Sequence, residues 1–349
     1  MANVTAPLSG QSKSGEATYG ADASGLICGF ACAPNRPALS IDSPAALEWL
    51  QTTQNPSDEE FLWLHFNLSQ ANSEKWIRNH LPLPEHYFET LHETSGSTRV
   101  EQAEDSLIAV INDVVFEFSY DVSQIATLWM CVSRNLIVSS RLHPLRSVDR
   151  LRVAVKAGER FTSPIALLAH LLREQAEVLQ QIARDATTQV DMVEDGLLAG
   201  RMSAKRSTLG VLRRVLVRLR RLLAPEPGAL FRLLNRPPAW FNDQDGQELR
   251  NATEEFSAVL ADLAVLQERT KLLQEEIAAH TTEQTNRSVF LLTMVTVLAL
   301  PINLTAGLFG MNVGGVPFNQ DPDGFLIVGT ILAVFTAIAG WFAFLRQRD

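Results

Sequence analysis

SVFLLTMVTVLALPINLTAGLFGMNVGGVPFNQDPDGFLIVGTILAVFTAIAGWFAFL, residues Ser288–Leu345, is the stretch on which the fold turns. It holds two apolar runs, Ser288–Phe309 and Phe325–Leu345, each about twenty residues long and free of charge. Each is long enough to cross the hydrocarbon core of a bilayer. A buried helix of a globular protein can imitate one such run, but two in succession at the C-terminal end predict a pair of membrane spans. The connecting segment 310–324 has no Lys or Arg and carries Asp321 and Asp323. Arg287 flanks the first span, and Arg346 and Arg348 follow the second. Positive charge stays on the cytoplasmic side, so both chain termini are expected in the cytoplasm and the short loop outside.

Upstream of the first span the helical signal does not stop. From about Asp245 to Phe309 the first proline is Pro301, and no glycine falls between Gly246 and Gly307. Leu249, Ala252, Phe256, Val259, Leu263, Leu266, Leu273 and Ile277 recur mainly at steps of three and four, a seam that needs a partner helix. At 1.5 Å per residue this element is on the order of 90 Å long. It therefore reads as a stalk (243–287) running into the first span (288–309), the outer loop (310–324), the second span (325–345) and a short cytoplasmic tail (346–349).

Residues 143–242 read as wholly helical, with Ser163-Pro164 as a cap followed by proline at the first helical position. A basic stretch from Arg201 to Arg221 follows, either a solvated helix face or a patch near anionic head groups. Pro225, Pro227 and Pro237-Pro238 are expected to break the chain after it. Residues 26–142 alternate strand and helix patterns, an α/β domain. Its strand candidates are Leu26–Ala31, Phe61–Phe66, Leu107–Ile111, Val114–Phe118, Ile125–Val132 and Leu136–Ser139. Asn112-Asp113 between two apolar runs predicts a hairpin turn, and Ser43-Pro44 and Ser69 predict helix starts. Residues 1–25, biased to Gly, Ser, Ala and Thr, read as a disordered leader without a secretory h-region.

The net charge of -9 argues against nucleic acid as a partner. Three cysteines, Cys28, Cys32 and Cys131, are too few for a disulfide framework and lack zinc-ribbon spacing. No nucleotide loop, nucleophile elbow or HExxH motif occurs, so neither an enzyme nor an ATP-driven pump is expected, and no resident cofactor. On the first span, Asn286, Val289, Thr293, Thr296, Leu300, Asn303, Gly307 and Gly310 share one helical face. Two helices cannot enclose a pore, but rings of amide and hydroxyl groups from several copies can line one. The competing reading is that these residues only glue helices together. The stalk carries Glu254, Glu255, Asp262, Glu268, Glu275, Glu276 and Glu283 against Arg250, Arg269 and Lys271. Glu276, His280 and Glu283 lie at helical spacing and offer a shared metal ion or proton, although an exposed polar face is the plainer reading.

Gly310-Met311-Asn312 directly after the first span resembles the signature of the CorA metal-ion transporter family. Phe309 before it, Pro301, Ala306-Gly307 and Asn286 at the membrane entry extend the resemblance. So does the layout of nearly the whole chain. Val313-Gly314-Gly315-Val316-Pro317 and Gly324-Phe325 look like the ZntB-type zinc transporter branch rather than the magnesium channels, whose aromatic and Met-Pro-Glu-Leu segment is absent. The resemblance implies a homopentameric funnel in the bacterial inner membrane, with the first span of each subunit lining the pore. Its fold is an α+β cytoplasmic domain with a helical hairpin, a long stalk helix and two C-terminal spans.

The stripe has no Cys, His or carboxylate, the ligands of tight zinc sites, so a zinc ion would pass at least partly hydrated. Cadmium, nickel and cobalt are expected to share the path, and a proton gradient is a candidate driving force. Asn312 would present a ring of neutral oxygens at the mouth, with Gly310 supplying the permissive φ of a helix C-cap. Asp321 and Asp323 would concentrate cations outside, unless Asp-Pro-Asp-Gly is merely a turn. Two alternatives stay open: a magnesium or cobalt channel of the CorA type, and a membrane-anchored scaffold or sensor that moves no ions.

Overall fold

A computed structural model describes residues 20–52, 60–93, 98–116, 124–199, 206–311, 317 and 322–346. The chain divides into two compact units, Met1–Lys271 and Leu272–Asp349. The first holds β1 (Leu26–Ala33), β2 (Arg36–Ile41), α1 (Ser43–Thr52), β3 (Phe61–Asn67), α2 (Ser73–His80) and α3 (Glu85–His92). It continues with β4 (Arg99–Ala103), β5 (Ser106–Val114), β6 (Ile125–Val132), β7 (Leu136–Arg141), α4 (Arg146–Lys156) and α5 (Pro164–Leu198). α6 (Arg206–Leu223), α7 (Pro225–Asn235) and the first part of α8 (Asp243–Phe309) complete it. The second unit holds the rest of α8 and α9 (Gly324–Arg346).

The strands form one sheet in the order β2-β1-β3-β7-β6-β5-β4. β3 and β7 pair in parallel at its centre, and all other neighbours are antiparallel. A strand covered on both faces must be apolar on both, and FLWLHFN of β3 is. Phe61 and Trp63 join one core with Ile137, Met130 and Leu107, under Leu151 of α4, Leu168 of α5, Leu230 of α7 and Leu249 of α8. Leu62, Leu64 and Phe66 point the other way, into a second core with Ala46, Ile77 and Tyr87 of α1, α2 and α3. Helices on both faces of a mixed sheet are thus the consequence of one strand that is buried on both faces and apolar from Phe61 to Phe66 except at His65.

The edge strands β2 and β4 are absent from the sequence expectation. Their side chains are mostly exposed or half-buried, so they carry no apolar run to betray them. The expected turn at Asn112-Asp113 is a correction: β5 runs straight through it, pairing Asn112 with Thr127 and Asp113 with Ala126. The expected strand Val114–Phe118 is not a separate one: Val114 ends β5, Val115 makes a single bridge to Leu145, and residues 117 and 118 lie outside the described residues. α2 begins at Ser73 rather than at Ser69, whereas the break expected at Pro225 is present: α6 ends at Leu223, and Pro225 and Pro227 then open α7.

Asn112 and Asp113 tolerate burial in a strand because distant elements satisfy them. Asn112 Nδ2 donates to Thr98 Oγ1 (2.9 Å), and Gln175 Nε2 of α5 donates to the Asn112 carbonyl (2.7 Å). Asp113 accepts from the Ser147 backbone N–H (3.1 Å) and hydroxyl (2.9 Å), and so caps the start of α4. Glu226 of α7 is wholly buried beside this network, within 3.4 Å of Gln175 Nε2, while its Oε1 and Gln175 Oε1 have no partner among the described residues. Burial lifts the Asp113 carboxyl from 3.8 to about 6 despite its hydrogen bonds. Burial, and then the Asp113 charge, lifts Glu226 well above the ordinary glutamate range.

Both groups hold their protons more tightly folded than unfolded. Their stabilisation is therefore full below the ordinary carboxylate range and falls as pH rises, for Asp113 between 3.8 and about 6. Glu226→Gln removes the costlier ionisation. Thermal unfolding followed from about pH 5 to 8 should show a flatter decline in the variant, with Tm at the alkaline end higher by roughly 2–4 °C. A parallel shift at every pH would contradict this account.

The cap at Ser163 is as the sequence predicts: its hydroxyl accepts from Ala166 N at 2.9 Å and Pro164 follows. The same hydroxyl donates to Asp245, tying the start of α5 to that of α8. The stalk seam is buried, with Leu249, Ala252, Phe256 and Leu263 at 0% exposure. Arg269 beside it pairs with Asp191 (2.8 Å) and Glu194 of α5, so the partner helix lies within the same chain. Cys28, Cys32 and Cys131 sit on β1 and β6, and burial pushes each thiol up to about 12, which makes them inert.

Candidate functional site: the polar face of the first span

The apolar end of α8 and α9 are uncovered: none of the most apolar window of α8 is buried, and 6% of that of α9. Val289, Leu300 and Phe325 are 56%, 66% and 92% exposed. Apolar surface of this extent needs lipid or further protein around it. Near the outer end an apolar cleft of about 490 Å³ lies between the two helices, lined by Ile302, Ala306 and Phe309 from one and Phe325, Val328 and Leu332 from the other.

Asn286, Val289, Thr293, Thr296, Leu300, Asn303 and Gly307 are exposed along α8, on one stripe by their spacing. The polar members are not equivalent. Thr293 and Thr296 donate their hydroxyls to the carbonyls of Val289 (2.8 Å) and Leu292 (2.9 Å), one turn back. Thr305 does the same to Pro301 (2.7 Å), and on α9 Thr330 and Thr336 donate to Leu326 and Leu332. A threonine with its donor engaged in this way can face lipid at little cost. Asn286 and Asn303 have no such refuge: neither side chain makes a hydrogen bond among the described residues. The distinction is invisible in a helical wheel, which scores threonine and asparagine alike.

At the end of α8, Gly310 N donates to Ala306 O (2.9 Å) and Met311 N to Leu308 O (3.4 Å). Gly310 is not among the described glycines with positive φ, which are Gly25 and Gly158, so the expectation of a left-handed cap is corrected. Glycine instead eases a close approach there, since a Cβ would stand 3.0 Å from the Ala306 carbonyl oxygen. Asn312 and Asp321 lie outside the described residues. Asp323 precedes α9 and its carbonyl accepts from Ile327 N (3.1 Å), a helix-opening role. Glu276, His280 and Glu283 are all exposed on α8. Among the described residues no group of three or more His, Cys, Asp or Glu is placed to hold a metal ion.

Sequence reasoning missed a buried polar chain at the centre of the sheet. Trp63 Nε1 donates to Ser139 Oγ (3.0 Å), His65 Nδ1 meets the same hydroxyl (2.8 Å), and Arg141 Nε donates to His65 Nε2 (3.2 Å). Burial, aided by the charges of Arg141 and Arg152, pushes His65 down to about 3, so it stays neutral. Its alternate position on β3 was the available signal, a polar residue inside a run that is otherwise apolar.

A family model described as "CorA-like Mg2+ transporter protein" matches residues 58–347. The zinc transport protein ZntB of Yersinia enterocolitica is 27% identical over 283 residues, covering 81% of this chain and 86% of that protein. The divalent cation transporter CmaX of Pseudomonas aeruginosa is 29% identical over 295 residues, covering 83% and 88%. The structure of full-length CmaX superposes with a TM-score of 0.77 at 26% identity, over 94% of this chain and 99% of that one.

Proposed function

We propose, from the premise that this chain belongs to the CorA-like Mg2+ transporter protein family, that zinc is the principal cargo of a pore lined by α8. The chain is a divalent-cation transporter of that family, with a cytoplasmic domain and two spans in the inner membrane, and not an enzyme. Several copies, five by the family resemblance, would bring their α8 stripes around one axis. The observation that carries the pore reading is Asn303: an exposed carboxamide in an apolar span, with no partner among the described residues. Facing lipid it would leave two donors and an acceptor unsatisfied. Facing an axis, it presents amide oxygen to the water shell of a passing ion.

Such a lining is weakly selective. Neutral oxygens do not grip a bare zinc ion as thiolate or imidazole does, so cadmium, nickel and cobalt should compete. Similarity to zinc and to general divalent-cation transporters alike supports this ordering.

The test is radioactive zinc flux into proteoliposomes, with and without an imposed pH gradient and with magnesium alongside. We expect zinc flux to exceed magnesium flux and to rise with the gradient. Magnesium flux that dominates and ignores pH would move the chain to the magnesium channels. No flux of either ion would leave only a scaffold.

A further inference from the structure

α6 is a helix of one charge sign. RSTLGVLRRVLVRLRRLL contains no Asp or Glu, in a chain whose net charge is -9. Its apolar face is spent inside the protein: Leu209, Leu212, Leu216, Leu219 and Leu223 are at most 2% exposed. The opposite face shows Arg213, Arg214, Arg220 and Arg221 to solvent. Arg220 reaches only the neutral Gln267 (3.4 Å), and Arg214 and Arg221 form no ion pair among the described residues. Like charges one or two turns apart on a helix repel, so Arg214 and Arg221 are at a disadvantage until something anionic lies along them.

The same chain carries a matching surface. Glu255 and Asp262 of α8 are exposed, with no ion pair among the described residues. They are seven residues apart, as are Arg214 and Arg221. On two helices packed side by side both spacings are about 10.5 Å, so two ion pairs form in one register.

We infer that the arginine ladder of α6 in one copy docks on the Glu255–Asp262 ladder of α8 in a neighbouring copy. The contact fixes which faces meet between subunits more than it adds affinity, because rim ion pairs are individually weak. A lipid surface is the poorer occupant. A membrane-binding helix needs a free apolar face beside its basic one, and that of α6 is already buried. The inference rests on the proposed multi-subunit pore for its neighbouring copy.

The test uses the full-length protein in detergent, in two double variants, Arg221→Cys with Asp262→Cys and Arg221→Cys with Glu255→Cys. Treatment with a short bifunctional thiol reagent should give a ladder of covalent multimers in at least one of them. The single variants should not; they carry the same native cysteines, half-buried Cys28 and buried Cys32 and Cys131, as background. Arg214→Glu with Arg221→Glu should raise the concentration at which the assembly dissociates by roughly tenfold. Adding Glu255→Arg and Asp262→Arg should restore it. Absence of the ladder from both double variants overturns the inference whatever the charge variants do. So does a charge reversal that alters only the response of flux to anionic lipid. Wild-type protein that is monomeric while still transporting would bring down the multi-subunit pore itself, a result separate from both.

Discussion

Asn312→Ala is expected to abolish zinc flux, by about a hundredfold or more, in protein that still assembles and inserts. The magnitude follows from what a ring of Asn312 carboxamides, one from each copy of the proposed pore, would do. A hydrogen bond to a charged partner contributes about 1.5–3 kcal/mol, and an ion at the mouth would meet one carboxamide from every copy. Losing the whole ring removes several such contacts at one point on the path, where every ion must pass. Flux and subunit number, measured on the same preparation, separate the two possibilities. Collapse of flux with assembly intact supports a selectivity role. Unchanged flux removes the motif from the mechanism and favours a scaffold.

How much of this was legible in the sequence depends on where each signal lives. The spans, the stalk and the buried seam from Leu249 to Ile277 follow from local periodicity, which is a property of one helix. β3 was legible for the opposite reason, because a strand buried on both faces has to be apolar throughout. The edge strands were not, since β2 and β4 pair only on one side and pack little. Asn112-Asp113 misled because its turn chemistry is real but local, whereas its satisfaction is tertiary: Thr98, Gln175 and Ser147 supply what a turn would otherwise have supplied. Glu226 was hidden by the same logic, as a first-turn glutamate normally sits in solvent at the positive end of a helix. In the candidate site the polar stripe was legible as a list of residues. The hierarchy within it was not, because the hydroxyl-to-carbonyl bonds that neutralise the threonines are made by the helix itself.

That hierarchy makes the last prediction sharp. Asn303→Leu should reduce zinc flux by at least roughly tenfold, since in the proposed pore it replaces an exposed amide with a dry side chain on a lining that must stay wet. Thr296→Val, nearly the same shape and two turns away, should reduce it by less than about threefold. Its hydroxyl hydrogen is already committed to the Leu292 carbonyl at 2.9 Å, so the axis loses little more than an acceptor lone pair. If the stripe only glues helices together, Asn303→Leu weakens assembly in step with any loss of flux, and the flux carried by each assembled copy does not change. Equal losses at both positions would mean that the face is sensed by its shape, with no special part for the carboxamide. Parallel measurements of zinc and magnesium flux in the two variants separate these cases. A lining that acts through the water shell should lose both ions together at Asn303, because neither is held by direct ligation.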